Sequence, residues 1–268
     1  MKEQPNVISD FELLTEIGCD LSQHFRGIYV DDEIKTKSTH LLAKAIDNSF
    51  SILKLIPDSK YSDDKENYLD ISSVFSLCRN LIELSNIFWY LIDDNIEQNE
   101  FEFRIDILNY HDYISTDLIF NRIFYDEKNV EYLENKISEF KDKIENNPHF
   151  EKLDKQTKKF ILNGKKSTLL TQFEIVKKRD LDLEEFRAYY KLMSVHTHSS
   201  PTSVTQLVFT QGMETDGEFN NLMLSFLIMY CGSFLANLIK STTELWEMKF
   251  AKTESEKIIN EYVSIQKL

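Results

Sequence analysis

The chain has 268 residues, of which 42% are hydrophobic, and its 19 Phe and 12 Tyr exclude a disordered protein because they can fill a core. With only 6 Gly and 4 Pro it lacks the turn residues that a sheet protein of this size needs, which predicts long helices joined by few loops. The net charge of -14 argues against broad DNA binding, because a nucleic-acid groove needs a surplus of Lys and Arg.

The cysteine content and the start of the chain indicate a cytoplasmic protein. Cys19, Cys78 and Cys231 are odd in number and widely spaced, which is typical of reduced thiols rather than of a disulfide framework. The first residues are polar and acidic, without the apolar region of a signal peptide.

In the first half of the chain, apolar residues recur at helical spacing. A first helix carries a stripe from Phe11 to Phe25, with Ser9 or Asp10 as the predicted N-cap. Further helices are predicted over residues 32–56, 70–98, 100–124 and 129–147, and 57–68 is predicted to be a polar loop that begins at Pro57.

The second half begins with a less regular, lysine-rich segment, 148–180, for which short helices and loops are expected. Asp182 is the predicted N-cap of a helix that ends near His198, and Ser200 with Pro201 is predicted to start the next one. Residues 218–241 predict a buried core helix. Leu222–Ile239 carries no charge over eighteen positions, but its polar residues favour a core helix over a membrane span. The fold is therefore predicted to be all-α, a single domain over 1–268.

Charged residues on the apolar third helix form the first candidate site. Arg79 and Glu83 are four positions apart and share a helix face. Charges on such a helix must be paired or must face a polar cavity. They are therefore either a structural ion pair or a cavity site in which Arg79 holds an anion and Glu83 supports it.

The second candidate site lies where one helix ends and another begins. Tyr190, Ser194 and His198 step by four and form one stripe. Free backbone N–H groups near Ser199 and Ser200 predict an anion site at the start of the next helix. The alternative is that Ser194 and His198 hydrogen-bond across the helix junction without a catalytic role.

Arg104 and His111 on the fourth helix are separated by six residues. This Arg-x(4–6)-His spacing resembles the active motif of HEPN ribonucleases, which are helical bundles that usually act as dimers. The position after the arginine is usually polar in that family and is Ile105 here. The resemblance implies a metal-independent ribonuclease, with His198 or His111 as general base and Arg79 or Arg104 steadying the phosphate.

A wider resemblance covers about residues 40–235. The Arg79-x3-Glu83 helix, Arg104 with Tyr110, and the segment Tyr190-x3-Ser194-x3-His198-Ser199 resemble a bacterial all-helical family of unknown function. Similar bacterial proteins are often associated with phage defence or toxin systems, so the resemblance implies a defence role, a homodimer and an RNA or protein partner.

Other motifs that would name a chemistry do not occur in the sequence. It has no Gly-rich phosphate loop, no Cys-x-x-Cys and no His-Glu-x-x-His. His196 lies two positions from His198 and points elsewhere on a helix, which disfavours a two-histidine metal site. We therefore expect no metal, no cofactor and no membrane partner. The alternative to an enzyme is a non-catalytic helical module that binds a protein or a small anion.

Overall fold

The computed structural model describes residues 6–62, 69–124, 127–197, 201, 216–250 and 252–266. Within these ranges the chain is helical and contains no strand, which confirms the all-α prediction. The helices are α1 (Val7–His24), α2 (Glu33–Leu55), α3 (Ile71–Phe88), a π-helical segment (Trp89–Asp93), α4 (Gln98–Arg122), α5 (Glu127–Glu145), α6 (Pro148–Glu151), α7 (Lys155–Leu162), α8 (Gln172–Lys178), α9 (Leu183–Thr197), α10 (Asp216–Leu245) and α11 (Thr253–Ile265).

The helices divide into two compact units. The larger unit contains residues 1–93 and 172–268, and the smaller contains residues 94–171. A single domain over 1–268 stays a prediction, and each unit is described separately below.

The core of the larger unit forms around α10. Leu227, Phe234 and Leu235 of this helix are fully buried, and they belong to one apolar cluster with side chains of α1, α2, α3, α9 and α11. The predicted helix over 218–241 is thus present and extends somewhat farther at both ends. In the described part of the chain, this is also the one helix long and apolar enough to cross a membrane. In the span Leu222–Leu245, 67% of the most apolar window is buried within the protein.

Local capping explains where several helices of the larger unit begin. The carboxylates of Asp32 and Asp70 accept hydrogen bonds from the backbone N–H groups of Lys35 and Ser73, as N-caps do. The predicted cap of α1 is wrong, because α1 begins at Val7 and Asn6 is its N-cap.

The predicted third helix is too long. It was expected to reach residue 98, but α3 ends at Phe88 and passes into the π-helical segment, which ends at Asp93. Apolar residues continue beyond this point, at Ile92 and Ile96, so the periodicity alone hides the break. The π-helical turn reorients the last residues of the helix, and such turns often occur at functional sites.

The smaller unit has its own apolar cluster. Phe103, Ile107 and Tyr110 of α4 pack with Ile144 of α5 and Ile161 of α7. The Tyr110 hydroxyl donates to the backbone oxygen of Leu162 at 2.9 Å, which ties the end of α7 to α4.

Candidate functional site

Polar side chains line the contact between α3 and α9, and we call this contact the α3–α9 seam. Their spacing on α3 keeps them on one face of the helix. Ser72 Oγ lies 3.3 Å from His196 Nδ1, and Ser76 Oγ donates to Thr197 Oγ1 at 3.2 Å. The seam consists of Ser72, Ser76, Arg79 and Glu83 on α3 and of Tyr190, Ser194, His196 and Thr197 on α9.

Arg79 lies at the centre of the α3–α9 seam. Its Nε donates to Glu83 Oε1 at 2.8 Å, and its Nη2 donates to the Tyr190 hydroxyl at 2.8 Å. Its Nη1 lies within 3.4 Å of Ser194 Oγ, and the guanidinium carbon is 4.6 Å from the centre of the Tyr190 ring. The Tyr190 hydroxyl in turn donates to Glu83 Oε1 at 2.7 Å. Glu83 therefore serves as an internal counterion for Arg79.

The surroundings of the seam keep Arg79 in its charged form and Tyr190 in its neutral form. Burial lowers the pKa of Arg79, but the hydrogen bond and charge of Glu83 outweigh burial and hold that pKa above its ordinary value. Burial and the Glu83 carboxylate raise the pKa of Tyr190 to about 12. Tyr190 therefore keeps its proton at neutral pH and cannot act as a general base. Ser194 Oγ donates to the backbone oxygen of Tyr190 at 2.6 Å, so the Ser194 hydroxyl is engaged by the backbone of its own helix.

The structure brings together four of the residues that the sequence analysis singled out. Arg79, Glu83, Tyr190 and Ser194 come together as one cluster. The predicted residues His198, Ser199 and Ser200 lie outside the described residues, since the described part of α9 ends at Thr197.

His196 belongs to the seam, although sequence reasoning gave it no role. Its ring packs edge-on against Phe75 of α3, with the ring centres 4.5 Å apart.

Arg104 and His111 lie on α4, in the smaller unit. Arg104 is only 2% exposed, and its Nη2 lies 2.8 Å from Asp94 Oδ2 and 2.6 Å from Glu100 Oε1. Two carboxylates thus hold its guanidinium. His111 is partly exposed, and its backbone oxygen accepts a hydrogen bond from Ser115 Oγ.

A cavity that sequence reasoning missed lies in the larger unit, and we call it the Arg179 cavity. Its volume is about 480 Å³, which is within the usual range for small-molecule sites. Its polar lining includes Asp93 of the π-helical segment, Arg179 and Asp180 after α8, Asn237 of α10 and Gln266 after α11.

The end of α8 positions Arg179. Asp180 adopts a left-handed backbone conformation with φ 57°, and the N–H of Leu181 donates to the backbone oxygen of Val176 at 3.2 Å. This is the hydrogen-bond pattern of a helix C-cap in which Asp180 occupies the position that glycine usually takes. The guanidinium carbon of Arg179 lies 5.1 Å from the centre of the buried Phe234 ring.

Neutral amides hold Arg179. Its Nη1 donates to Asn86 Oδ1 at 2.6 Å, and its Nη2 lies 3.4 Å from Gln266 Oε1. Asn86 Nδ2 donates to Gln172 Oε1 at 2.7 Å, so one asparagine contacts both ends of α8. Asn237 Nδ2 donates to Gln266 Oε1 at 2.8 Å, which fixes that acceptor.

Arg179 differs from Arg79 and Arg104, the other two described arginines that are not exposed, in the groups that its guanidinium contacts. Arg79 is paired with Glu83, and Arg104 is paired with Asp94 and Glu100. Among the described residues, Arg179 makes no direct ion pair with a carboxylate. Burial lowers its pKa to about 10, against the raising effect of Asp93, so the guanidinium stays charged at neutral pH.

Asp93 lies at the exposed rim of the Arg179 cavity and accepts a hydrogen bond from Ser241 Oγ at 2.8 Å. Surrounding protein raises the pKa of Asp93, while Ser241 and the charge of Arg179 lower it. The net effect raises the pKa of Asp93 to about 6, so the carboxylate is still mostly ionised at neutral pH.

No local sequence pattern indicates this site. Arg179 lies near the end of the lysine-rich segment over 148–180, for which the sequence analysis predicts only short helices and loops. Asn86, Asp93, Asn237 and Gln266 come from separate elements, so no spacing links them to Arg179. Over the described ranges, no group of three or more His, Cys, Asp or Glu residues could hold a metal ion.

Comparison with known proteins identifies a family. The family model described as a family of unknown function, DUF5677, matches residues 38–217. The chain belongs to the DUF5677 family. The match includes the whole of α3 and α9 with the α3–α9 seam, and it includes Asp93 and Arg179 but not Asn237 or Gln266. Neither a curated protein nor a solved structure matches the chain.

Proposed function

We propose that this DUF5677 protein is a non-catalytic helical module that binds a small molecule through an anionic group at Arg179. The observation that carries the proposal is the contrast among its arginines. Arg79 and Arg104 each have a carboxylate in direct contact, whereas Arg179 faces a cavity and has only neutral amide acceptors in the described structure.

A guanidinium in this position favours an anionic ligand for a simple energetic reason. Removing a charge from water costs free energy, and amide acceptors recover only part of it. Two of the guanidinium nitrogens of Arg179 have amide acceptors, which leaves further N–H donors of the planar group for a carboxylate or phosphate. A ligand oxygen in the cavity would make charge-assisted hydrogen bonds with these donors.

The α3–α9 seam is less suited to this role. An incoming anion would have to displace Glu83, which already accepts from both Arg79 and Tyr190. We therefore assign the seam a structural role, in which its hydrogen bonds hold α9 against α3.

Binding of acetate and inorganic phosphate tests the proposal, by calorimetry and by the shift in melting temperature. The melting temperature of the parent protein should rise with the logarithm of the ligand concentration once that concentration exceeds the Kd. Arg179→Met should abolish the shift, whereas Arg79→Met, at a partly buried arginine outside the cavity, should retain it. If Arg179→Met binds an anion as tightly as the parent, or if the parent binds neither these anions nor an amino acid that carries a carboxylate, the proposal fails.

A second candidate is a metal-independent ribonuclease that acts in phage defence or as a toxin, as a homodimer with an RNA target. The observation in its favour is that Arg79 of α3 contacts Tyr190 and Ser194 of α9, and Ser194 precedes His198 by four residues in the sequence. RNA cleavage and growth arrest on expression should then be lost in His198→Ala and His111→Ala. If both variants cleave RNA as the parent does, this mechanism is excluded.

A further inference from the structure

We propose that the ligand of the Arg179 cavity is zwitterionic, with a carboxylate that binds Arg179 and an ammonium group that binds Asp93. This inference rests on the proposed function, because it names the class of molecule that the cavity would bind. It follows from the distribution of charge around the cavity.

The cavity combines a buried positive charge with negative charge at its rim. Arg179 lies against Phe234 and holds the positive charge. Asp93 and Asp180 also line the cavity, and both are exposed. Glu244 of α10 adds a further negative charge near Asp93. The amino group of Lys178 lies 5.9 Å from the centre of the ring of Trp89, which also lines the cavity.

A simple anion does not complement this arrangement. It would gain hydrogen bonds from Arg179, but it would also lie near the carboxylates of Asp93 and Asp180. Like charges placed close together at a protein surface repel each other. A ligand that also carries an ammonium group converts the repulsion at Asp93 into attraction.

Asp93 is held in a position to receive such a group. Ser241 Oγ donates to Asp93 Oδ2, which fixes the carboxylate at the end of the π-helical segment. A carboxylate has several acceptor sites, so this hydrogen bond leaves capacity for a ligand N–H. Leu181, Val263 and Trp89 add apolar surface to the lining of the cavity. The ligand class is therefore a short chain with opposite charges at its two ends.

Matched pairs of probes test this inference. The carboxylates acetate, propionate and butyrate are compared with the amino acids glycine, β-alanine and γ-aminobutyrate, which add only an ammonium group. Dissociation constants are measured by calorimetry on the full chain. We expect at least one amino acid to bind about ten times more tightly than the carboxylate of the same length, which corresponds to about 1.4 kcal/mol.

Two variants separate the contribution of Arg179 to ligand binding from that of Asp93. Asp93→Asn should remove the advantage of the amino acid while carboxylate binding is kept or strengthened, and Arg179→Met should abolish binding of both. Carboxylates that bind as tightly as their amino acids overturn the zwitterion inference but leave the proposed function intact. If no probe of either type binds, the proposed function itself fails. Asp180→Asn reports whether the second rim carboxylate, rather than Asp93, receives the ammonium group, which would also contradict the inference.

Discussion

The Tyr190 hydroxyl on α9 donates a hydrogen bond to the Glu83 carboxylate on α3 at 2.7 Å. The same hydroxyl accepts from Arg79, so a single phenol completes an ion pair on the neighbouring helix. This contact joins two helices that are more than a hundred residues apart in sequence.

Replacement of Tyr190 by Phe should therefore destabilise the larger unit. The change removes the hydrogen bonds of the hydroxyl with Glu83 and Arg79 and leaves the ring packing in place, so we expect a loss of about 1.5–3 kcal/mol in the free energy of unfolding. Urea denaturation measures it. Tyr29→Phe is the matched control because Tyr29 is 97% exposed. Equal unfolding midpoints for Tyr190→Phe and the parent would contradict a structural role for the α3–α9 seam.

The same tyrosine predicts a loss of stability in alkaline solution. The pKa of Tyr190 is raised from 10.0 to about 12 by burial and by Glu83. The folded state holds this proton more tightly than the unfolded state, so its contribution is complete below pH 10 and is lost as the pH rises to about 12. Tyr190→Phe should lose less stability than the parent over this interval. The test is urea denaturation at both ends of it, and parallel curves for the two proteins would argue against the predicted linkage.

Replacement of Arg104 by Ala should destabilise the protein far more than replacement of His111 by Ala. Arg104→Ala leaves Asp94, whose side chain is 9% exposed, without its buried partner, and such a loss costs about 3–5 kcal/mol. His111→Ala, at a partly exposed position on the same helix, should cost less than about 1 kcal/mol. Denaturation of both variants measures the difference. Similar stabilities for the two would contradict the assignment of Arg104 to a buried ion pair.

Gly232 is required for the packing of α11 on α10. A Cβ atom at this position would lie 2.7 Å from Tyr262 Cε1, and the Tyr262 hydroxyl is hydrogen-bonded to Asp10 at 3.2 Å. We expect Gly232→Ala to destabilise the protein by about 1–3 kcal/mol, although alanine is the better helix former.

The Gly232 prediction has an internal control. In a double variant with Tyr262→Ala, the steric conflict is absent, so the cost of Gly232→Ala should largely disappear. If Gly232→Ala stabilises the protein in the parent background, the close contact with Tyr262 is not a constraint.

Features that depend on neighbouring residues in the sequence were the ones most accessible to prediction. The cap at Asp182 follows from a short polar residue before an apolar stripe, and its carboxylate accepts hydrogen bonds from the N–H groups of Glu184 and Glu185. The pairing of Arg79 with Glu83 follows from their spacing by one helical turn. The end of α3 could not be found in this way, because apolar residues continue past it.

Features that depend on tertiary packing were not predictable. The stripe on α9 indicated that Tyr190 and Ser194 share a face, but only packing brings that face against Arg79. The contacts of Arg179 are still harder to predict, because its partners Asn86 and Gln266 come from two other helical regions. No pattern in a single sequence predicts that these residues lie close together.

The contact of Asn86 with both ends of α8 has a consequence for how this helix opens. With only seven residues, α8 is too short to persist alone, and its two ends share one asparagine side chain. Release of that side chain breaks its contacts with Gln172 and Arg179 together, so we expect the backbone amides of α8 to exchange with deuterium as a single cooperative group. A ligand bound in the Arg179 cavity should then slow the deuterium exchange of all the backbone amides of α8.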